Sequence, residues 1–151
     1  MKVMVMVQYS GADEENISAT DDERSRKMFE AMGAYNEQLV NAGIMLDGQG
    51  LLPSAKGARI VLEGGTTSVV DGPFTESKEL IGGYWIWQVN SLEEAVEWAR
   101  RCPSDPSSGV TSMLELRPIA EAEDFGEAYT PELQERDARL AEQIKAQHPT
   151  D

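Results

Sequence analysis

Histidine and cysteine are nearly missing from this chain: 151 residues contain one of each, His148 and Cys102. A lone cysteine excludes an internal disulfide framework, and one histidine with one cysteine cannot close a zinc site. With His148 close to the C-terminus, the core is expected to do without histidine chemistry. Basic side chains are also scarce, 13 against 27 acidic ones, and the net charge is −14. Nucleic acid and anionic membranes would repel such a chain, so neither is an expected partner. No apolar run approaches the ~20 residues of a membrane-spanning helix. The opening stretch Met1–Tyr9 is too short and wrongly flanked for a signal peptide. These absences together suit a cytoplasmic protein.

What is present suits an ordinary globular domain: 40% hydrophobic, 7% aromatic and 26% charged residues. Met1–Tyr9 alternates valine with methionine, apolar on both faces, which predicts a central strand. Gly11–Thr20 reads as a polar loop. Its acids could attract calcium, but no EF-hand spacing is present, so solvated charge is the plainer expectation. Thr20-Asp21-Asp22-Glu23 fits a capping box, and a helix is predicted over Asp21–Ala42. Met28, Met32, Tyr35 and Leu39 give its apolar stripe, Phe29 and Val40 broaden it, and Gly43 ends it.

Ile44–Leu46 predicts a short strand broken by Asp47-Gly48-Gln49-Gly50, with a loop over Leu51–Gly57. Gly48 and Gly50 lack the lysine-serine signature of a phosphate loop. Arg59–Glu63 and Thr66–Val70 flank Gly64-Gly65, a two-residue hairpin signal. After the connector Thr75–Leu80, Gly82-Gly83 opens an aromatic strand, Tyr84–Val89. Trp85 and Trp87 share one face of it; Tyr84, Ile86 and Gln88 share the other. Ser91 and Glu94 cap a second helix whose expected stripe is Leu92, Ala95, Val96 and Ala99. Ser112–Arg117 is the last strand.

From Glu121 onward there are nine acids, three bases and few large apolar residues, so the expected organisation is a domain over 1–120 and an acidic extension over 121–151. Thr130-Pro131 opens a helix in that extension, with a thin stripe of Leu133, Leu140 and Ile144. The order strand, helix, strand, hairpin, strand, helix, strand predicts an α+β fold. Its ferredoxin-like βαββαβ core carries a β-hairpin insertion and a C-terminal helix. Helices on one side of such a sheet leave the other face bare and apolar, which predicts a homodimer.

Asp71-Gly72-Pro73-Phe74-Thr75-Glu76-Ser77-Lys78-Glu79, followed by Gly82-Gly83-Tyr84, resembles the DGPF branch of the YCII-related family. Tyr35-Asn36-Glu37, Gly50-Leu51-Leu52-Pro53-Ser54 and Glu115-Leu116-Arg117-Pro118 extend the likeness over nearly the whole chain. The resemblance implies a dimeric α/β barrel. Better-studied relatives are associated with a His–Asp pair, and one with dehalogenation of a muconate-like substrate. Asp71 matches the acid of that pair, while Met32 stands at the histidine's place, so the dyad is broken here. Relatives also lie beside alternative sigma factors, which implies a regulatory setting.

Several residues are therefore candidates. Asp71 reads either as a general base or ligand anchor in an aromatic-walled pocket, or as the start of a turn whose carboxylate accepts backbone N–H groups. Gly72 and Pro73 read as structural. Tyr9, Tyr35, Phe74 and Lys78 are candidate ligand contacts. The tyrosines and Phe74 also suit core packing, and Lys78 also suits an exposed pairing with Glu76 or Glu79. Cys102 follows a helix C-terminus, the wrong end to stabilise a thiolate. No cofactor is implied. The expected function is binding of a small organic ligand in a cleft near the Asp71–Phe74 turn. The alternatives are an enzyme with Asp71 as carboxylate base, and a protein-interaction accessory in transcription that uses the tail helix.

Overall fold

The computed structural model describes residues 1–18 and 20–149. Strand β1, Lys2–Tyr9, is followed by a one-turn helix α1, Glu14–Ile17, where the sequence suggests only a loop. Helix α2 spans Glu23–Asn41. Its cap is Asp22, whose side chain accepts from the Ser25 N–H, so the helix begins two residues inside the expected start at Asp21. Strand β2, Met45–Gly50, runs through the Asp-Gly-Gln-Gly segment that was expected to break it. Pairing with β5 holds it, and the irregularity is confined to a register shift between Met45 and Asp47.

Strands β3, Ala58–Glu63, and β4, Thr66–Asp71, form the predicted hairpin, with Gly64 and Gly65 both at positive φ in its turn. Strand β5, Leu80–Gln88, helix α3, Leu92–Ala99, and strand β6, Ser112–Pro118, complete this unit. The Ser91 side chain accepts from Glu94 N–H, and the Glu94 carboxylate takes Asn90 N–H in return.

The main sheet is antiparallel with order β2-β5-β1-β6, the arrangement expected of a ferredoxin-like α+β core, and β3-β4 is a separate two-stranded sheet. The main sheet is open, and no closed barrel forms among the described residues. Val3, Val5, Trp85 and Trp87 project from one sheet face and pack with Tyr35, Leu39 and Ala95 of the helices. Met4, Met6, Tyr84 and Ile86 project from the other face and are only partly buried. The helix stripes are narrower than predicted. Phe29 and Val40 are mostly exposed on α2, and Leu92 and Val96 are more than one-third exposed on α3, where the expected Ala95 and Ala99 do face the core and Trp98 joins them.

The second unit, Ile119–Asp151, carries helix α4, Pro131–Gln147, capped by Thr130 with proline in its first turn. Within it, Phe125 meets Tyr129 edge-on and the Tyr129 hydroxyl donates to Asp137 at 2.8 Å. Leu140 and Ile144 are exposed on α4.

Candidate functional site

One side of α2, from Arg24 through Met28 and Met32 to Asn36, forms the wall of a cleft of about 690 Å³. Twelve helical steps make this wall about 18 Å long. The opposite wall is the end of the sheet, with Tyr9 from β1, Gly48 and Gln49 from β2, and Tyr84 and Trp85 from β5. Leu51–Pro53 and the segment around Asp105 close the sides. The volume suits a small organic molecule.

Two glycines make room for the aromatic rings of this wall. A Cβ on Gly82 would penetrate the Tyr9 ring, and one on Gly48 would lie 2.6 Å from Cδ1 of Trp85. Trp85 is fixed from three sides. It lies over Gly48, it meets the Tyr35 ring edge-on at 5.9 Å, and its Nε1 donates to Asn36 Oδ1 at 2.9 Å. Burial, with the nearby Glu14 charge as the smaller cause, raises the Tyr9 hydroxyl above the ordinary tyrosine range. Tyr9 is therefore a neutral hydrogen-bonding group at neutral pH.

Among the described residues, two of the lining residues carry charge at neutral pH, Arg24 and Asp105, 3.8 Å apart. Arg24 also donates to the Asn16 carbonyl, and Asp105 accepts from the side chain and backbone of Ser107. Those Ser107 hydrogen bonds, with a smaller contribution from Arg24, hold the Asp105 carboxyl below its usual range.

The residues singled out from the sequence are not gathered in one place. Tyr9 lines the cleft. Tyr35 is in the core with its hydroxyl donating to Trp98 O at 2.8 Å, and burial drives its pKa far upward. Phe74 is buried in a smaller hollow that shares Leu51 and Leu52 with the cleft. The Arg59 guanidinium stacks 3.8 Å from its ring centroid. Lys78 is exposed and makes no ion pair among the described residues, and Glu76 pairs with Arg59 instead. Asp71 is exposed at the end of β4, opposite Ala58, and lines neither hollow. No hydrogen bond to its carboxylate is present among the described residues, and the Gly72 N–H goes to Gly57 O.

The turn after Asp71 is a clamp. The Gly72–Pro73 bond is cis, and a Cβ on Gly72 would overlap the Ser54 carbonyl. Ser54 Oγ accepts from Phe74 N–H and donates to the Glu14 carboxylate, which also takes the Ser54 N–H. Glu14 is 7% exposed, so this is an interior network joining α1, the segment after β2 and the turn after β4. The acidic run predicts a solvated Glu14, and its two hydrogen bonds from Ser54 make it an interior group instead.

Asn36 was also missed as a site residue. Its signal was present: Met28, Met32 and Asn36 recur every fourth residue, which puts an amide at the end of an apolar stripe. Met32, at the histidine position suggested by the resemblance, is part of the same wall.

Residues 1–120 match the model of the YCII-related domain. An uncharacterized protein of Rhizobium meliloti (strain 1021) is 33% identical over 109 residues, 72% of this chain and 86% of that protein. The match spans helices α1 to α3, strands β1 to β6 and the whole cleft, and on that basis the chain belongs to the YCII-related family.

Proposed function

We propose that this protein binds a small organic molecule in the cleft beneath α2. The supporting observation is the cleft itself. Met28, Met32 and Trp85 supply a deformable apolar lining in a cleft of about the volume of such a ligand, and Asn36 and the Tyr9 hydroxyl supply polar contacts. Asp71 takes no part in this reading, because it lies outside the lining.

A thermal-shift screen of small apolar compounds tests it, with Met32→Trp as the blocked form. Compounds that raise Tm of the wild-type protein and leave the variant's unchanged support the cleft. A screen with no stabilising compound, or equal shifts in both proteins, overturns it.

We propose in addition that the working form is a homodimer. The partly buried apolar face of Met4, Met6, Tyr84 and Ile86 and the exposed β3–β4 arm favour this. Ile60, Leu62 and Val69 lie on one face of that arm, 59%, 77% and 66% exposed. A lone two-stranded ribbon is at best marginally stable in water, so an arm of this composition gains from being covered.

A further inference from the structure

Asn36 lines the cleft while its oxygen is already committed. An indole N–H can only donate, so Trp85 Nε1 at 2.9 Å identifies the atom of Asn36 facing it as oxygen. The amide nitrogen is thereby directed elsewhere, and no acceptor for it is present among the described residues. Neither side chain is free to reverse this. Trp85 is held by the Tyr35 edge contact and by the bare backbone of Gly48, and the residue is 6% exposed.

The electrical character of the lining sets what this donor can take. Among the described residues the cleft's one cation, Arg24, stands beside its one anion, Asp105, and Arg24 is twelve residues along α2 from Asn36. The Asn36 end therefore has neutral polar groups and no counter-charge for an ion. A carboxylate placed there would lose its hydration without a cation to replace it, against the field of a chain of net charge −14. A neutral carbonyl loses little hydration and gains the amide donor.

We infer that the ligand is an uncharged carbonyl compound (a ketone, ester or amide) whose oxygen accepts from Asn36 Nδ2 and whose apolar body lies along Met32 and Met28. This rests on the cleft being the binding site and adds the class of molecule it takes.

Two probes of nearly the same shape separate the possibilities: 4-phenyl-2-butanone, which is neutral, and 3-phenylpropanoate, which is an anion at pH 7. Each is titrated into 15N-labelled protein while the Trp85 indole N–H resonance is followed. The ketone is expected to shift that resonance and to bind at least tenfold more tightly than the carboxylate. Asn36→Asp keeps an acceptor for Trp85 and replaces the donor by an anion, so it is expected to weaken the ketone at least tenfold. The wild-type comparison stands whether or not that variant folds. Equal or tighter binding of the carboxylate, or an unchanged ketone affinity in folded Asn36→Asp, overturns the inference and leaves the cleft reading standing. If neither probe perturbs Trp85, the cleft reading fails and the inference with it.

Discussion

The carboxylate of Glu14 and the whole polar front of Ser54 are joined: Ser54 N–H donates to Oε1 at 2.5 Å and its hydroxyl donates to Oε2 at 2.6 Å. Forty positions separate the two residues, and both chain segments border the cleft. Glu14→Ala leaves a largely buried N–H and hydroxyl without their charged acceptor. An interaction of that kind is worth about 1.5–3 kcal/mol, and urea unfolding is expected to show a loss of that size. Glu14→Gln, which keeps an acceptor oxygen, is expected to lose less.

The turn after β4 gives a second prediction, with opposite outcomes at adjacent positions. Gly72→Ala forces a Cβ into the Ser54 carbonyl and is expected to cost at least ~1–3 kcal/mol, as overpacking does. Asp71→Asn changes an exposed side chain and is expected to stay within ~0.5 kcal/mol in the same assay. It should also leave binding in the cleft unchanged.

Alkaline pH gives a third. Burial pushes the Cys102 thiol up to about 11, so at pH 8 it is almost wholly protonated, and its alkylation by iodoacetamide should be far slower in the folded than in the unfolded protein. In the unfolded chain the thiol ionises near its ordinary value, so between about pH 8.5 and 11 the native state holds the extra proton. Stability therefore falls as pH rises through that window, and the raised Tyr35 hydroxyl acts in the same direction at higher pH. Denaturant midpoints measured from pH 8 to 11 check the sign, and Cys102→Ala should flatten the first part of the curve.

Association gives a fourth. Sedimentation equilibrium is expected to report twice the 16.6 kDa chain mass. Leu62→Lys, on the most exposed apolar position of the β3–β4 arm, is expected to shift the equilibrium toward the monomer without unfolding the main sheet.

The fold was legible because its signals are local. Valine alternation marks β1, Gly64-Gly65 marks the hairpin, and Ser91, Glu94 and Thr130 mark helix starts, each within a few residues. The site was less legible because its couplings are distant. Nothing in an acidic run shows that Glu14 will be buried, since its partner Ser54 is brought in by β2 and the turn after β4. Asn36 acquires its direction from Trp85, 49 positions later. Asp71 drew attention because it opens a recognisable tetrapeptide, but there the structural requirement falls on Gly72 and Phe74, which pack and bond against the Ser54 segment.

The most direct test of the account is where a bound fragment perturbs the protein. Chemical-shift mapping with 4-phenyl-2-butanone on assigned wild-type protein is predicted to place the largest changes on Met28, Met32, Asn36 and Trp85. Changes centred on Asp71 to Lys78, with the α2 wall silent, would contradict it.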